Sequence, residues 1–240
     1  MIYVISDVHG NLDAFNSIIK KINFSDKDEM YILGDVIDRG THGIQILKRI
    51  METKNMHMLL GNHEFMMMEA LGFPYDDEPT ENQYDAKGLW YYNGGAVTHN
   101  GWKCLSKEEK ETMKNYLKNL PLNIDLNVGG RDFKLVHACA EEVYDAIVKI
   151  NEESDEKEIL PTKSYFCVWD RECIELLSSV DDVITIFGHT PTANIQEVVP
   201  MEIYRNGNII GIDCGAAYGT QFGGRLCCLR LDDMEVIYSD

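Results

Sequence analysis

Apolar residues alternate between two periods along the first seventy positions. Met1 to Ser6 is a short β-rich run, after which Leu12, Phe15, Ile18, Ile19 and Ile22 recur at steps of three and four. A strand, a loop and a helix are predicted in that order. The order recurs as strand Met30 to Leu33, loop Gly34 to Gly40 and a helix carrying Ile44, Leu47 and Met51. It recurs again as strand Met56 to Leu60, turn Gly61-Asn62 and helix His63 to Leu71. Alternating strands and helices predict an α/β architecture with a parallel sheet.

Farther along, periodicity fails between Gly72 and Gly101. That stretch holds Pro74, Pro79, an acidic cluster (Asp76, Asp77, Glu78, Glu81, Asp85) and the turn Asn93-Gly94-Gly95, so an inserted loop or lid is predicted over 72–101. Ser106 and Glu109 form a capping-box pattern ahead of a helix that Pro121 stops. Leu122 to Val128, Gly129-Gly130 and Phe133 to His137 read as a hairpin. The acidic stretch 141–158 reads as a solvated helix and loop, Arg171 to Leu177 as a short helix and Val183 to Phe187 as a buried strand. Strands also close the chain over 225–231 and 235–238, with Asn206-Gly207 turning between two others. With no repeat and no long linker, the 240 residues are expected to form one domain, 1–240.

Hydrophobic residues at 45% and charged ones at 26% exclude a mainly disordered chain. A formal charge of −18 makes a general nucleic-acid binder a poor reading, because a phosphate backbone would be repelled. The seven cysteines include no C-x-x-C pair, which points to reduced thiols and a cytoplasmic setting. No apolar run suits a leader or a membrane span, so neither export nor a membrane partner is expected.

The chemistry-bearing residues gather just after predicted strands: Asp7-x-His9-Gly10, Gly34-Asp35-x-x-Asp38-Arg39-Gly40, Gly61-Asn62-His63-Glu64, His137-Ala138 and Gly188-His189-Thr190-Pro191. Strand ends are where open α/β sheets bind ligands. The donor types are Asp, His and Asn without thiolate, suiting Mn, Fe, Zn or Co. Six candidate ligands are too many for one open catalytic ion, whereas two ions ~3.5–4 Å apart are a usual device for displacement at phosphorus.

These motifs, in this order, resemble the phosphoprotein phosphatase branch of the calcineurin-like metallophosphoesterases. Asn93-Gly94-Gly95, Trp169-x-Arg171 and Asp213-x-Gly215 look like its bacterial and phage members, of the bacteriophage lambda phosphatase type. The resemblance implies a sandwich of two mixed β-sheets flanked by helices. It implies that Asp7 and His9 hold one metal, that Asn62, His137 and His189 hold the other, and that Asp35 bridges them, with Mn²⁺ the leading candidate. His63 would be the general acid, oriented by Asp38, while Arg39, Arg171 and Asn62 would bind the phosphoryl group. Hydroxide bridging the metals would attack in line, with no phosphoenzyme. Gly-His-Thr-Pro in place of Gly-His-x-His points to the phosphatase branch.

The expected activity is thus hydrolysis of phosphoserine and phosphothreonine, extending to phosphotyrosine, in a phosphoprotein or phosphopeptide. A related branch with nearly the same motifs cleaves dinucleoside polyphosphates such as diadenosine tetraphosphate symmetrically, and is the alternative. A noncatalytic phosphopeptide-binding module would have no reason to keep His63 beside Asp38 with all six ligands, and an acidic scaffold would take up no metal. His42, His57 and His99 read as structural or surface residues, Cys139 as an inert buried thiol, Glu64 as a helix-dipole partner, Met66-Met67-Met68 as core and helix surface, and Asn93-Gly94-Gly95 as a turn within reach of the site rim.

Overall fold

The computed structural model describes residues 1–76, 85–177 and 183–240. Asp77, Glu78 and Glu81 of the acidic cluster lie outside the described residues.

The first half runs β1 (Ile2–Ile5), α1 (Leu12–Lys21), β2 (Glu29–Ile32), α2 (Gly43–Glu52), β3 (Met56–Met58), α3 (Asn62–Ala70), α4 (Ala86–Tyr92), α5 (Ala96–Cys104) and α6 (Lys107–Lys118). The second half runs β4 (Asn123–Val128), β5 (Arg131–Val136), α7 (Glu141–Glu153), α8 (Lys163–Trp169), α9 (Ile174–Leu177), β6 (Ile184–Phe187), β7 (Tyr204–Asn206), β8 (Ile209–Gly211), β9 (Cys227–Arg230) and β10 (Val236–Tyr238). Two five-stranded mixed sheets result, ordered β10-β9-β1-β2-β3 and β4-β5-β6-β8-β7. The strands β1, β2 and β3 are parallel, as are β5, β6 and β8, so each sheet sends several carboxyl ends the same way.

Strand alternation separates three apolar layers. Val4, Leu33, Leu135, Ile186, Ile210 and Leu229 fill the space between the sheets. Their neighbours turn outward: Tyr3, Ile5, Met30 and Ile32 pack with Phe15, Ile18, Ile46 and Leu47 of the first two helices, while Val136, Phe187 and Ile209 pack with Val143. The order is helix, sheet, sheet, helix, as the family resemblance implied.

The stretch expected as a loop or lid differs. It carries α4 and α5, and Trp90 of α4 is fully buried. Periodicity missed these helices because they are short, seven and nine residues, and α4 buries little but Trp90. The Ser106 capping box forms as read, with the Ser106 hydroxyl accepting from Glu109 N at 3.1 Å and the Glu109 carboxylate from Ser106 N at 2.8 Å. Met66, Met67 and Met68 are all buried, so none is helix surface. Among the described residues no helix is long and apolar enough to cross a membrane.

Candidate active site

The strand-end loops of the first sheet are tightly wound. Asp7, His9, Asp35, Asp38 and Arg39 have φ between 47° and 69°, and His189 on the second sheet has φ 61°; these are six of the eight non-glycine residues in the left-handed region among those described. Non-glycine residues rarely adopt it, and where they do the strain clusters at functional sites. The loops after β1 and β2 press together at Gly10 and Gly40, where a Cβ on Gly10 would lie 2.4 Å from Gly40 O. Only glycine fits at that contact.

Glu64, one turn into α3, braces the second loop. Its buried carboxylate accepts from Asp35 N at 2.8 Å, Val36 N at 2.9 Å and Ile37 N at 3.2 Å. Burial pushes its pKa up to about 7. Glu64 thus stands in the first turn of α3 as a structural residue, as read, and in addition its carboxylate is turned onto the amides that set Asp35, partners that no local spacing signals.

Three histidines are each fixed by a backbone carbonyl. His9 Nδ1 lies 3.1 Å from Ile37 O, His137 Nδ1 2.6 Å from Leu33 O, and His189 Nε2 3.1 Å from Trp169 O. A carbonyl accepts only, so each of these nitrogens carries the proton and the other ring nitrogen presents a lone pair. Those lone pairs converge on oxygens. His9 Nε2 faces Asp7 Oδ1 at 3.8 Å and Asp35 Oδ2 at 3.7 Å. His137 Nε2 and His189 Nδ1 face Asn62 Oδ1 at 3.0 and 2.8 Å, and His137 Nε2 lies 3.5 Å from Asp35 Oδ1. Acceptors aimed at acceptors repel unless a cation lies between them, and this oxygen and nitrogen set suits a divalent ion.

Electrostatics agrees with that fit. Burial, reinforced for His9 by His63 and for His189 by His137, lowers both imidazoles well below the ordinary range, and burial lowers His137 as well. They are therefore neutral, the form that ligates. Burial and then the Asp7 charge raise Asp35 and Asp213 well above the ordinary carboxylate range, a repulsion that bound cations offset.

His63 is held differently. Its Nδ1 lies 2.7 Å from Asp38 Oδ2, and its Nε2 faces Arg39 Nη2 at 3.3 Å. Among the described residues no backbone carbonyl anchors its ring, which separates it from the other three. Trp90 Nε1 donates to the same Asp38 oxygen at 2.8 Å, while Thr98 Oγ1 accepts from Asp38 N at 2.9 Å. Burial pushes Asp38 up to about 7. Trp90 and Thr98 belong to α4 and α5, so the segment read as a lid is part of the site's wall; Trp90, three residues before Asn93-Gly94-Gly95, was the legible sign. The turn itself reaches the site, since Gly94 O accepts from Arg39 N at 3.2 Å.

These groups line one cavity of about 170 Å³ together with Arg39, Asn93, Arg171, Asp213 and Tyr218. Arg171 is pinned by Nη1, which donates to His189 O at 3.1 Å and Thr190 Oγ1 at 3.2 Å. All the sequence-predicted site residues except His137 and Asp38 line the cavity directly. Those two stand just behind it, His137 against Asn62 and Asp38 against His63. Asp213 was noticed only within its motif, and its burial beside Asp7 comes from the β8 strand end. His42, His57 and His99 lie elsewhere, paired with Thr41, Glu29 and Tyr91, and Cys139 packs with Val136 and Phe187.

The curated relatives include symmetrical bis(5'-nucleosyl)-tetraphosphatases from Acidovorax ebreus (strain TPSY), 27% identical over 57% of this chain and 43% of the relative, and Buchnera aphidicola subsp. Acyrthosiphon pisum (strain Tuc7), 33% identical over 35% and 31%. The match spans less than half the length of these relatives. Among solved structures, a putative diadenosine tetraphosphatase superposes with a TM-score of 0.59 at 14% identity, covering 99% of this chain and 91% of that one. A protein serine/threonine phosphatase from Saccharomyces cerevisiae gives 0.58 at 12%, covering 99% and 78%. At such identities the likeness is one of fold. A model of calcineurin-like phosphoesterases matches residues 1–205, spanning every strand-end motif that meets at the cavity except Asp213, and the chain belongs to that metallophosphoesterase family.

Proposed function

We propose that the chain is a two-metal phosphohydrolase acting on dinucleoside polyphosphates, with symmetrical cleavage of diadenosine tetraphosphate as its reference reaction. One observation carries the reaction class: the bare nitrogens of His9, His137 and His189 converge on Asp7, Asp35 and Asn62 at the floor of a cavity that two arginines also line. The substrate class is supported by the curated relatives, which favour the alternative of the sequence reading over its phosphoprotein reading.

In this proposal Asp7 and His9 hold one divalent ion, Asn62, His137 and His189 the other, and Asp35 serves both; Mn²⁺, Fe, Zn and Co all suit the donors. When bound, such ions supply positive charge to phosphoryl oxygens and lower the pKa of water. The planar guanidinium forks of Arg39 and Arg171 orient the phosphoryl group. Arg39 Nη2 donates toward His63 Nε2, so that nitrogen is bare in this arrangement; with Arg39 moved onto a phosphoryl oxygen, Nε2 would take up a proton from solvent, the imidazolium being paired with Asp38, and pass it to the leaving oxygen. Asp38 and Trp90 keep the imidazole aimed by holding the side opposite that nitrogen.

A second reading, phosphoprotein hydrolysis in a reduced cytoplasmic setting, is favoured by the charge of −18, which repels those parts of a polyanionic substrate that come within the ~8 Å screening length of the acidic surface. It also keeps the resemblance to the bacterial and phage phosphatases. Metal-stripped protein restored with Mn²⁺ separates the two by kcat/KM. Preference for diadenosine tetraphosphate, with two ADP as products, supports the first; preference for a phosphoserine/phosphothreonine peptide supports the second. No turnover of either with full metal loading would sink both.

A further inference from the structure

We infer that a groove beside the catalytic cavity is a nucleobase subsite, built on Tyr165 and Trp169; the inference rests on the nucleotide reading above and adds where the nucleoside lies. The cavity's 170 Å³ is smaller than the ~300–1,000 Å³ of a small-molecule site. A nucleotide whose phosphates enter it must extend outside. Immediately next to it is a groove of about 300 Å³, and Trp169 and Arg171 line both spaces. Trp169 and Arg171 thus form the wall that the two spaces share.

The groove is chemically unlike the cavity. The Trp169 ring meets His189 edge-on at 6.1 Å on one side and stacks with Tyr165 at 6.0 Å and 28° on the other. Tyr165 is 38% exposed, so an aromatic surface faces the groove. Stacking on such a surface suits any base, because every base presents a π-face. The charged groups beside it are Asp170 and Glu172, together with Arg171, which the groove shares with the cavity. Asp170 Oδ1 is fixed by Cys173 N at 2.7 Å and Glu172 N at 3.0 Å. Carboxylates repel another phosphoryl group but accept from the exocyclic amino group of adenine or guanine. The charge change from cavity to groove therefore sorts phosphate to one side and base to the other.

The test has a binding arm and a turnover arm. Adenosine, which carries no phosphate, is titrated into the full chain in Mg²⁺ buffer while the indole N–H resonances of Trp90, Trp102 and Trp169 are followed. The Trp169 resonance is expected to move, and Tyr165→Ala to weaken binding at least fivefold. In turnover, Tyr165→Ala is expected to lower kcat/KM for diadenosine tetraphosphate at least tenfold relative to p-nitrophenyl phosphate. A Trp169 resonance that adenosine leaves unmoved overturns the subsite whatever the substrate, and needs no variant. So does one moved by N-acetylarginine amide and not by adenosine, which would mark a groove for basic peptide residues. Adenosine binding at Trp169 without hydrolysis of diadenosine tetraphosphate keeps the subsite and removes the functional reading.

Discussion

The two sheets meet at one cavity but furnish it in different ways. The first sheet supplies two contorted loops, with five left-handed residues from Asp7 to Arg39, a glycine-on-glycine contact and a buried glutamate holding three amides. The second supplies side chains hung from strand tips, His137, His189 and Asp213, of which the two imidazoles are steadied through single carbonyls. Positions that must carry several ligands within a few residues need backbone strain, ~1–3 kcal/mol for each such residue, and therefore a brace. Positions that carry one ligand each need less: of the second sheet's three, His189 is left-handed while His137 and Asp213 follow their strand ends without it.

The largest expected effect tests where the two halves join. Asp35→Asn is expected to lower turnover by more than about 10³-fold and to lose metal, since its carboxylate faces histidines of both sheets; elemental analysis and kcat/KM check it, and full activity would remove the two-metal reading. His63→Asn, on the first sheet alone, should keep metal and slow phosphoserine hydrolysis by ~10²–10⁴-fold. Diadenosine tetraphosphate, with its better leaving group, should slow less. Equal slowing would count against the acid role.

A matched pair of variants tests the strain in the first sheet's loops. Glu64→Ala leaves three buried N–H groups unpaired at ~1–3 kcal/mol each, so a loss of ~3 kcal/mol or more is expected in urea unfolding. Thr190→Val, which removes one contact of Arg171 on the second sheet, should cost ~1 kcal/mol or less. Similar losses would erase the contrast.

The smallest effect lies away from both edges. Lys48 and the Ser106 cap hold Glu109 down at about 2. Because the folded pKa is below the unfolded value, this stabilisation is present above pH ~4.5 and fades as pH falls through about 2. Glu109→Gln should therefore unfold slightly more easily at pH 6, equally at pH 2, and bind metal unchanged.

Much of the first sheet's contribution could be read from residue order, because Asp7-x-His9-Gly10 and Gly34-Asp35-x-x-Asp38-Arg39-Gly40 place several functional groups on one short loop. Glu64 was legible as a structural residue at a helix start, but not its partners, which lie 27 to 29 residues away. Trp90 and Thr98 were missed because α4 and α5 lack a long apolar stripe, and their link to Asp38 spans 52 and 60 residues.

The sequence by itself determined the alternation of strands and helices, the polar clusters at strand ends and the kind of ion those donors suit, all consequences of local period and residue chemistry. Tertiary structure decided which nitrogen of each histidine is bare, what Glu64 holds, and that Trp169 belongs to two adjoining spaces. Those depend on contacts between residues far apart in the chain, where a rotation of one side chain exchanges donor for acceptor and no spacing records it.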